Sequence, residues 1–343
     1  MKIIYSPHHT QHNTKTELSG GELVAPYECA SRMDYVCQAL QEYGLGKTTE
    51  PLEFPRCHVE KIHDKDYLSF LDNCWQQWQA TGMSGEAIPT IWPSRSMPSN
   101  HIPRNIEGQI GYYALAGETA IAKNTAQAAW LSANIALTAA HSLVQGEHSA
   151  FALARPPGHH ASKNQYGGYC FINNAAVAAQ YLLDNGFQRV ALMDVDFHHG
   201  NGTQDIFYER NDVFFSSIHG DPLDAFPHFL GHADETGIGA GVGYNLNHPL
   251  PQGTPYAIWS EKLEQSLNAF RNYGADVLVV SLGLDTYEHD PISFFKVKTD
   301  EYVNMGTTLA GLDIPTVFIM EGGYAVEKLG HNTANVLQGF LNV

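Results

Sequence analysis

VALMDVDFHHGNGTQ, residues 190–204, carries the reading on which both fold and site turn. Val190, Ala191, Leu192 and Met193 have the length of a buried strand, and the run stops at Asp194, Asp196, His198 and His199 before a Gly200-Asn201-Gly202 turn. Such a strand presents acids and imidazoles at its carboxyl end. Because side chains alternate along a strand, Asp194, Asp196 and His198 start on one side, and a carboxylate and an imidazole two residues apart can converge on one cation. The competing reading, acids and histidines that merely open a solvated loop, explains less well why four potential ligands gather at one strand end.

The pattern recurs outward from there. Apolar runs rich in β-branched and aromatic residues lie at 2–5, 151–154, 213–218, 277–282 and 315–320. Helix-like stretches fall between them: 28–43 before Gly44, 174–185 before Gly186, and a segment with Thr254 as N-cap and Pro255 at its first position that reaches Tyr273 before Gly274. Strands alternating with helices predict βαβ crossovers and a mostly parallel sheet buried on both faces, an α/β chain forming one domain over 1–343. In such sheets ligands bind beyond the carboxyl ends of the strands. RPPGHH (155–160) follows one run, Asp285 follows VLVVSLGL (277–284), and EGGY (321–324) follows PTVFIM, so with 194–199 four strands are expected to deliver polar groups to one edge.

Composition narrows the class. Acids outnumber bases 36 to 19, and the resulting charge of −17 disfavours nucleic acid or an anionic membrane as a partner while favouring cations. Five cysteines form no C-x-x-C pair and leave no complete disulfide framework, as expected of reduced cytosolic thiols. The apolar run in MKIIYSPHHT is too short for a signal peptide, and no stretch approaches the roughly 18 apolar residues of a membrane span. A soluble cytoplasmic protein is expected. Residues 84–106 contain four prolines and no helical or strand period, yet Ile91 and Trp92 make them too apolar for a plain linker, so this loop is expected to pack on something.

Asp285 completes a candidate metal site. Two carboxylates and one neutral imidazole neutralise a divalent zinc ion and leave positions open for water and substrate, as a catalytic site requires. Anionic ligands acidify bound water less than an all-histidine set, so a separate general base becomes useful, and His159 and His160 are placed to provide it. Tyr324, after two glycines, can bring a phenol to the same edge to donate to an oxyanion. Gly168 and Tyr169, within GGYCF (167–171), belong either to core packing or to an aromatic wall around an extended acyl-amide. Cys170 lacks a basic neighbour and reads as buried and inert.

Taken together, RPPGHHA (155–161), GGYCFINN (167–174), DVDFHHGNGTQ (194–204), SLGLD (281–285) and EGGY (321–324) resemble the zinc-dependent arginase-deacetylase superfamily, in particular its histone-deacetylase-like amidohydrolases and the bacterial branch acting on acetylpolyamines. The likeness spans nearly the whole chain, including IEGQIGYY (106–113) and HGDPLDAFPHFLG (219–231). It implies a three-layer αβα fold with zinc on Asp196, His198 and Asp285, and Tyr324 polarising the substrate carbonyl. His160 is then base and acid, with His159 as companion. Asp194 orients His159 and binds potassium with Ser217 and the carbonyls of Asp196, His198 and Ile218, while Tyr169 and Phe226 wall the tunnel. Asn201 stands where class I histone deacetylases carry Asp, so no charged dyad is implied for His160. Resemblance also suggests that 84–106 crosses a two-fold dimer interface and narrows the tunnel entrance. A narrowed entrance leaves a polyamine's distal ammonium groups to seek carboxylates at the rim, for which Glu107, directly after the loop, comes first, while Glu118 and Glu17 fit equally well as solvated surface acids. The rivals are a protein acetyl-lysine deacetylase, a two-manganese ureohydrolase, for which the acids after Asp285 are too few, and a catalytically silent binding module, against which the complete residue set argues.

Overall fold

The computed structural model describes residues 1–343. Its strands are β1 (Lys2–Ile4), β2 (Glu17–Ser19), β3 (Glu22–Val24), β4 (Thr48–Thr49), β5 (Ser149–Ala152), β6 (Val190–Asp194), β7 (Val213–Gly220), β8 (Asn245–Leu250), β9 (Val277–Leu282) and β10 (Thr316–Met320). Its α-helices are α1 (Ser31–Glu42), α2 (Lys65–Ala80), α3 (Ile106–Tyr113), α4 (Thr125–Val144), α5 (Asn174–Asp184), α6 (Asn201–Phe207), α7 (Tyr256–Tyr273), α8 (Glu301–Ala310) and α9 (Val326–Leu341). Eight strands form one sheet in the order β4-β1-β5-β10-β9-β6-β7-β8, every neighbouring pair parallel, and β2 and β3 make a separate antiparallel hairpin.

Burial on both faces is why the central strands read as continuous apolar runs. In β9, Val277 and Val279 join the apolar cluster shared with α2, α4 and α5, whereas Leu278 and Val280 join the cluster under α1, α7, α8 and α9. The four strands expected to deliver polar groups are the four central neighbours β5, β10, β9 and β6. They are held level by the register Ala152, Ile319, Ser281, Asp194, so their continuations emerge side by side at one edge.

Element ends differ from the sequence expectation for identifiable reasons. Helix α7 starts at Tyr256 with Pro255 as N-cap, because the Thr254 hydroxyl donates to the Pro251 carbonyl instead of capping the helix. Helix α1 starts at Ser31 because Glu28 turns inward, its Oε1 accepting from Arg32 at 3.0 Å and from Arg155 at 2.7 Å. Strand β8 escaped notice because NLNHPL alternates with asparagines and carries Pro249, tolerated at a sheet edge. Segment 84–106 is irregular apart from one bridge, Ala87 to Ile121, and ends where Asn105 caps α3 by accepting from the Glu107 N–H. Trp92 packs on the core beside Gly117, whereas Ile91, Met97 and Ile102 stay exposed. All five cysteines are free thiols, and no helix is long and apolar enough to cross a membrane.

Two core histidines give the fold a calculable response to acid. Burial, with Arg155 adding to it at His12, lowers His12 and His63 to about 4, and Nε2 of His63 accepts from the Asn173 N–H, a bond that protonation would break. The unfolded chain therefore takes up protons first. Stability is full above the unfolded value near 6.5 and is lost as pH falls from there towards 4, by about 2 kcal/mol per histidine on reaching pH 5. Urea unfolding at pH 7 and pH 5 is expected to show this loss; equal unfolding free energies would contradict it.

Candidate active site

Strand β6 ends at Asp194, and the next turns bring Asp196 and His198 against Asp285 from the end of β9. One ligand atom from each of Asp196, His198 and Asp285 lies within 4.8 Å of the others, all three residues being buried. Nδ1 of His198 is 2.9 Å from Asp285 Oδ2 and 3.4 Å from Asp196 Oδ1. Backbone donors aim the carboxylates: the N–H of Phe197 reaches Asp285 Oδ1 at 2.7 Å, and those of His198 and Gly322 reach the two Asp196 oxygens at 2.9 Å each. Burial, with Asp196 alongside, pushes Asp285 up to about 8. Two buried carboxylates at such range call for a cation.

The backbone leaves room for one. A Cβ on Gly322 would lie 2.6 Å from Asp196 Oδ2 and 2.8 Å from Asp285 Oδ2, and one on Gly283 would overlap the Asp196 carboxylate outright. The donor set, two carboxylates and an imidazole in a cradle that side chains would fill, fits a divalent metal of the zinc type. A second cluster, His159, Cys170 and Glu321, is also compact, but burial drives the Cys170 thiol well up, and Glu321 Oε2 is taken by the N–H groups of Gly158 and His159. Cys170 thus sits buried and protonated, a poor ligand.

The histidine pair follows β5. His159 Nδ1 bonds Asp194 Oδ2 at 3.0 Å; burial opposes its charge, but Asp196 and Asp194 outweigh that and raise it to about 10. Its ring lies 4.0 Å from that of His160, which burial, then His159 and His198, push well down. Asn201 Nδ2 approaches the His160 carbonyl at 3.4 Å, so its Oδ1 faces His160 Nδ1 at 2.6 Å and accepts from it. His160 is therefore the Nδ1–H tautomer, with the Nε2 lone pair free. Asp194, the last residue of β6, pairs in register with Ser217, and Ser217 and Ile218 are buried within β7.

A cavity of about 270 Å³ opens onto these groups. His160, His198 and Tyr324 line it with Gly168, Tyr169, Phe197, Phe226, Ile292 and Phe294, and Glu17, Leu18, Ser19, Tyr27, Glu118, Asp224 and Ala225 complete the lining. Phe226 stands edge-on to His160 at 5.0 Å, and Tyr169 stands 5.6 Å from Tyr324, whose phenol burial keeps protonated. Tyr169 adopts φ 65°, an unfavourable conformation for a bulky side chain, held by its N–H to Thr119 Oγ and by the Gly168 N–H to Glu118 Oε1 at 2.7 Å. Glu17, only 3% exposed, accepts from Tyr27 N and the Tyr169 hydroxyl, and burial, with Glu118 and Glu28 near, pushes it up. Glu107 is exposed on the first turn of α3 and does not line its own chain's cavity. The sequence reading missed Asp224, Tyr27 and Phe294; Asp224 was visible only as one more acid in HGDPLDAFPHFLG, with nothing in its spacing to single it out.

A metal cradle, an imidazole with a free lone pair and a protonated phenol around one cavity define a metal-dependent hydrolase of the deacetylase type, on an αβα sheet. The chain belongs to the histone deacetylase family, whose Histone deacetylase domain matches residues 26–340. It is 53% identical to the acetylpolyamine amidohydrolase of Mycoplana ramosa, over 99% of each chain, and 48% identical to acetylpolyamine amidohydrolase 2 of Pseudomonas aeruginosa, over 100% of this chain and 99% of the other. The crystal structure of acetylpolyamine aminohydrolase from Burkholderia pseudomallei superposes with a TM-score of 0.94 at 37% identity, covering 99% of this chain and 98% of that one.

Gly322→Ala tests the cradle. Its methyl group would intrude on both carboxylates, so the dialysed variant is expected to retain less than about a tenth of the wild-type metal content while keeping its fold. Near-stoichiometric metal in a folded variant would show that these carboxylates are not the ligands.

Proposed function

We propose that this chain is a zinc-dependent amidohydrolase that removes the acetyl group from acetylpolyamines, releasing acetate and a free amine. The observation that carries the substrate class is Glu17, a buried carboxylate without a cation in the wall of a narrow cavity that also bears Glu118 and Asp224. A neutral acyl chain leaves that cost standing, whereas an ammonium group relieves it. Zinc would be held by Asp196, His198 and Asp285, and potassium by Asp194, Ser217 and the carbonyls of Asp196, His198 and Ile218.

When bound, zinc supplies Lewis-acid polarisation of the acetamide carbonyl and lowers the pKa of water. The protein does the rest. His160 takes the proton of the attacking water on Nε2, since its Nδ1 proton is committed to Asn201. His159, paired with Asp194, keeps a positive charge beside the site as anionic character grows. Tyr324 donates its phenol proton in a hydrogen bond to the developing oxyanion, a contribution worth about 10²–10³ in rate. His160 then returns its proton to the leaving amine. Tyr169 and Phe226 flank the acyl chain and exclude water.

The deciding measurement compares kcat/KM for N-acetylputrescine, N-acetylcadaverine, acetylspermidine, a neutral acetamide of equal length and an acetyl-lysine peptide, at low and high salt. The cationic small substrates are expected to lead the neutral one by at least about 10-fold, with the lead shrinking in salt and after Glu17→Gln or Glu118→Gln, because a desolvated ion pair contributes more than the 0.2–1 kcal/mol of an exposed one. Equal turnover of charged and neutral acetamides would remove the polyamine reading, and preference for the peptide would make the chain a protein deacetylase.

The exposed Ile91, Met97 and Ile102 of the 84–106 loop support a role for this loop in a two-fold homodimer, where it narrows the partner's entrance. Glu107, outside its own cavity, would then serve the tunnel of the other subunit. Sedimentation of a chain with the loop shortened is expected to show monomers that accept bulkier acetyl-lysine substrates; a dimer as stable as the wild type would dismiss the arrangement.

A further inference from the structure

Asp290 lies five residues beyond Asp285 and is 7% exposed. Its carboxylate is answered by backbone. Oδ2 accepts from the N–H of Tyr324 at 2.7 Å and of Ala325 at 3.2 Å, and Oδ1 accepts from the N–H of Ile292 at 3.1 Å. Ala325 is the N-cap of α9 and has no capping side chain of its own, so Asp290 caps the helix from another loop, where the helix dipole also favours an anion. On the far side of the same segment, Arg32 donates to the carbonyls of Gly323 at 2.8 Å and Glu321 at 2.5 Å. The EGGY turn is therefore gripped by its carbonyls from one side and by its N–H groups from the other.

We propose that Asp290 is a positioning residue for Tyr324, fixing the backbone from which the phenol reaches the substrate oxygen. The inference rests on the oxyanion role given to Tyr324 above. A phenol is a long lever: a rotation of about 10° at its Cα carries the hydroxyl about 1 Å, a misplacement that can cost on the order of 10²-fold in rate. Tyr324 needs this outside support because Gly322 and Gly323 precede it. Gly322 cannot be exchanged for a stiffer residue without striking Asp196 and Asp285, and Gly323, at φ 123°, has no room for a Cβ beside Leu329. The turn cannot be stiffened from within, so the carboxylate stiffens it from without.

Asp290→Asn removes the charge and leaves one acceptor atom. It is expected to lower kcat by 10- to 100-fold, with KM within about 3-fold of wild type and metal content unchanged. In a Tyr324→Phe background the same substitution is expected to cost less than about 3-fold, since no phenol remains to be aimed. A second readout needs no substrate: amide hydrogen exchange of the peptide spanning 321–326 should quicken by at least 10-fold while exchange in β9 and β10 stays as in the wild type. If the wild type proves inert towards acetylpolyamines, the proposed function fails and this exchange measurement still judges Asp290. Equal losses in both backgrounds, loss of metal, or unchanged exchange at 321–326 would each overturn the assignment. Should Asp290→Asn not fold, Asp290→Glu, which keeps the charge but displaces it by one methylene, carries the same cycle and the same criteria.

Discussion

Asp196 and Asp285 are two carboxylates brought together in the protein interior, and most of what surrounds them exists to make that tolerable. Like charges so placed repel, and both carboxylates are fully buried. The chain answers with directed backbone N–H groups from Phe197, His198 and Gly322, which fix one face of each carboxylate and leave the other for a metal. Those donors come from the loops after β6 and β10, so the site requires both strands, in register, before either acid is stable where it is. The level ends of the four central strands are the structural form of that requirement.

A second buried charge cluster ties the outer layer to the same edge. Glu28, 2% exposed, lies between Arg32 and Arg155, and the two guanidiniums spend their remaining donors on the carbonyls of Gly323, Glu321, His9 and His12. Removing one member of such a group leaves an uncompensated buried charge, at a cost of about 3–5 kcal/mol. Through these bonds the segment before α1 reports directly on the turn that carries Tyr324. Fold and site therefore share parts: the ions that dock the N-terminal segment also hold the turn that carries Tyr324.

Much of this was legible in the sequence because it is local. Apolar runs ending in acids and histidines gave the parallel sheet and its working edge, whereas Asp196 and His198 converge through turns beyond the end of β6 rather than by alternation along one strand. Asp285, the histidine pair and Tyr324 were readable because each lies within eight residues of the end of its strand. What was not legible depends on distant chain. Glu28 looks like a helix residue until Arg155 is known to lie beside it, and Asp290 looks like a spare acid until the start of α9 is seen to need a cap. Edge strand β8 hides behind asparagines that serve Gln204 and Glu235 rather than a core. Among the mouth acids, the order expected from sequence, with Glu107 ahead, is not the order of proximity within one chain, because α3 turns its first turn to solvent.

The β2–β3 hairpin supplies Leu18 and Ser19 to the cavity mouth and places Glu17 against Tyr169, yet it precedes residue 26, where the family's common domain begins. The clustered strand-end residues and part of the cavity mouth thus come from separate stretches of the chain. The hairpin, residues 17–24, can therefore vary at the cavity mouth without touching the strand ends that carry Asp196, His198, Asp285 and Tyr324.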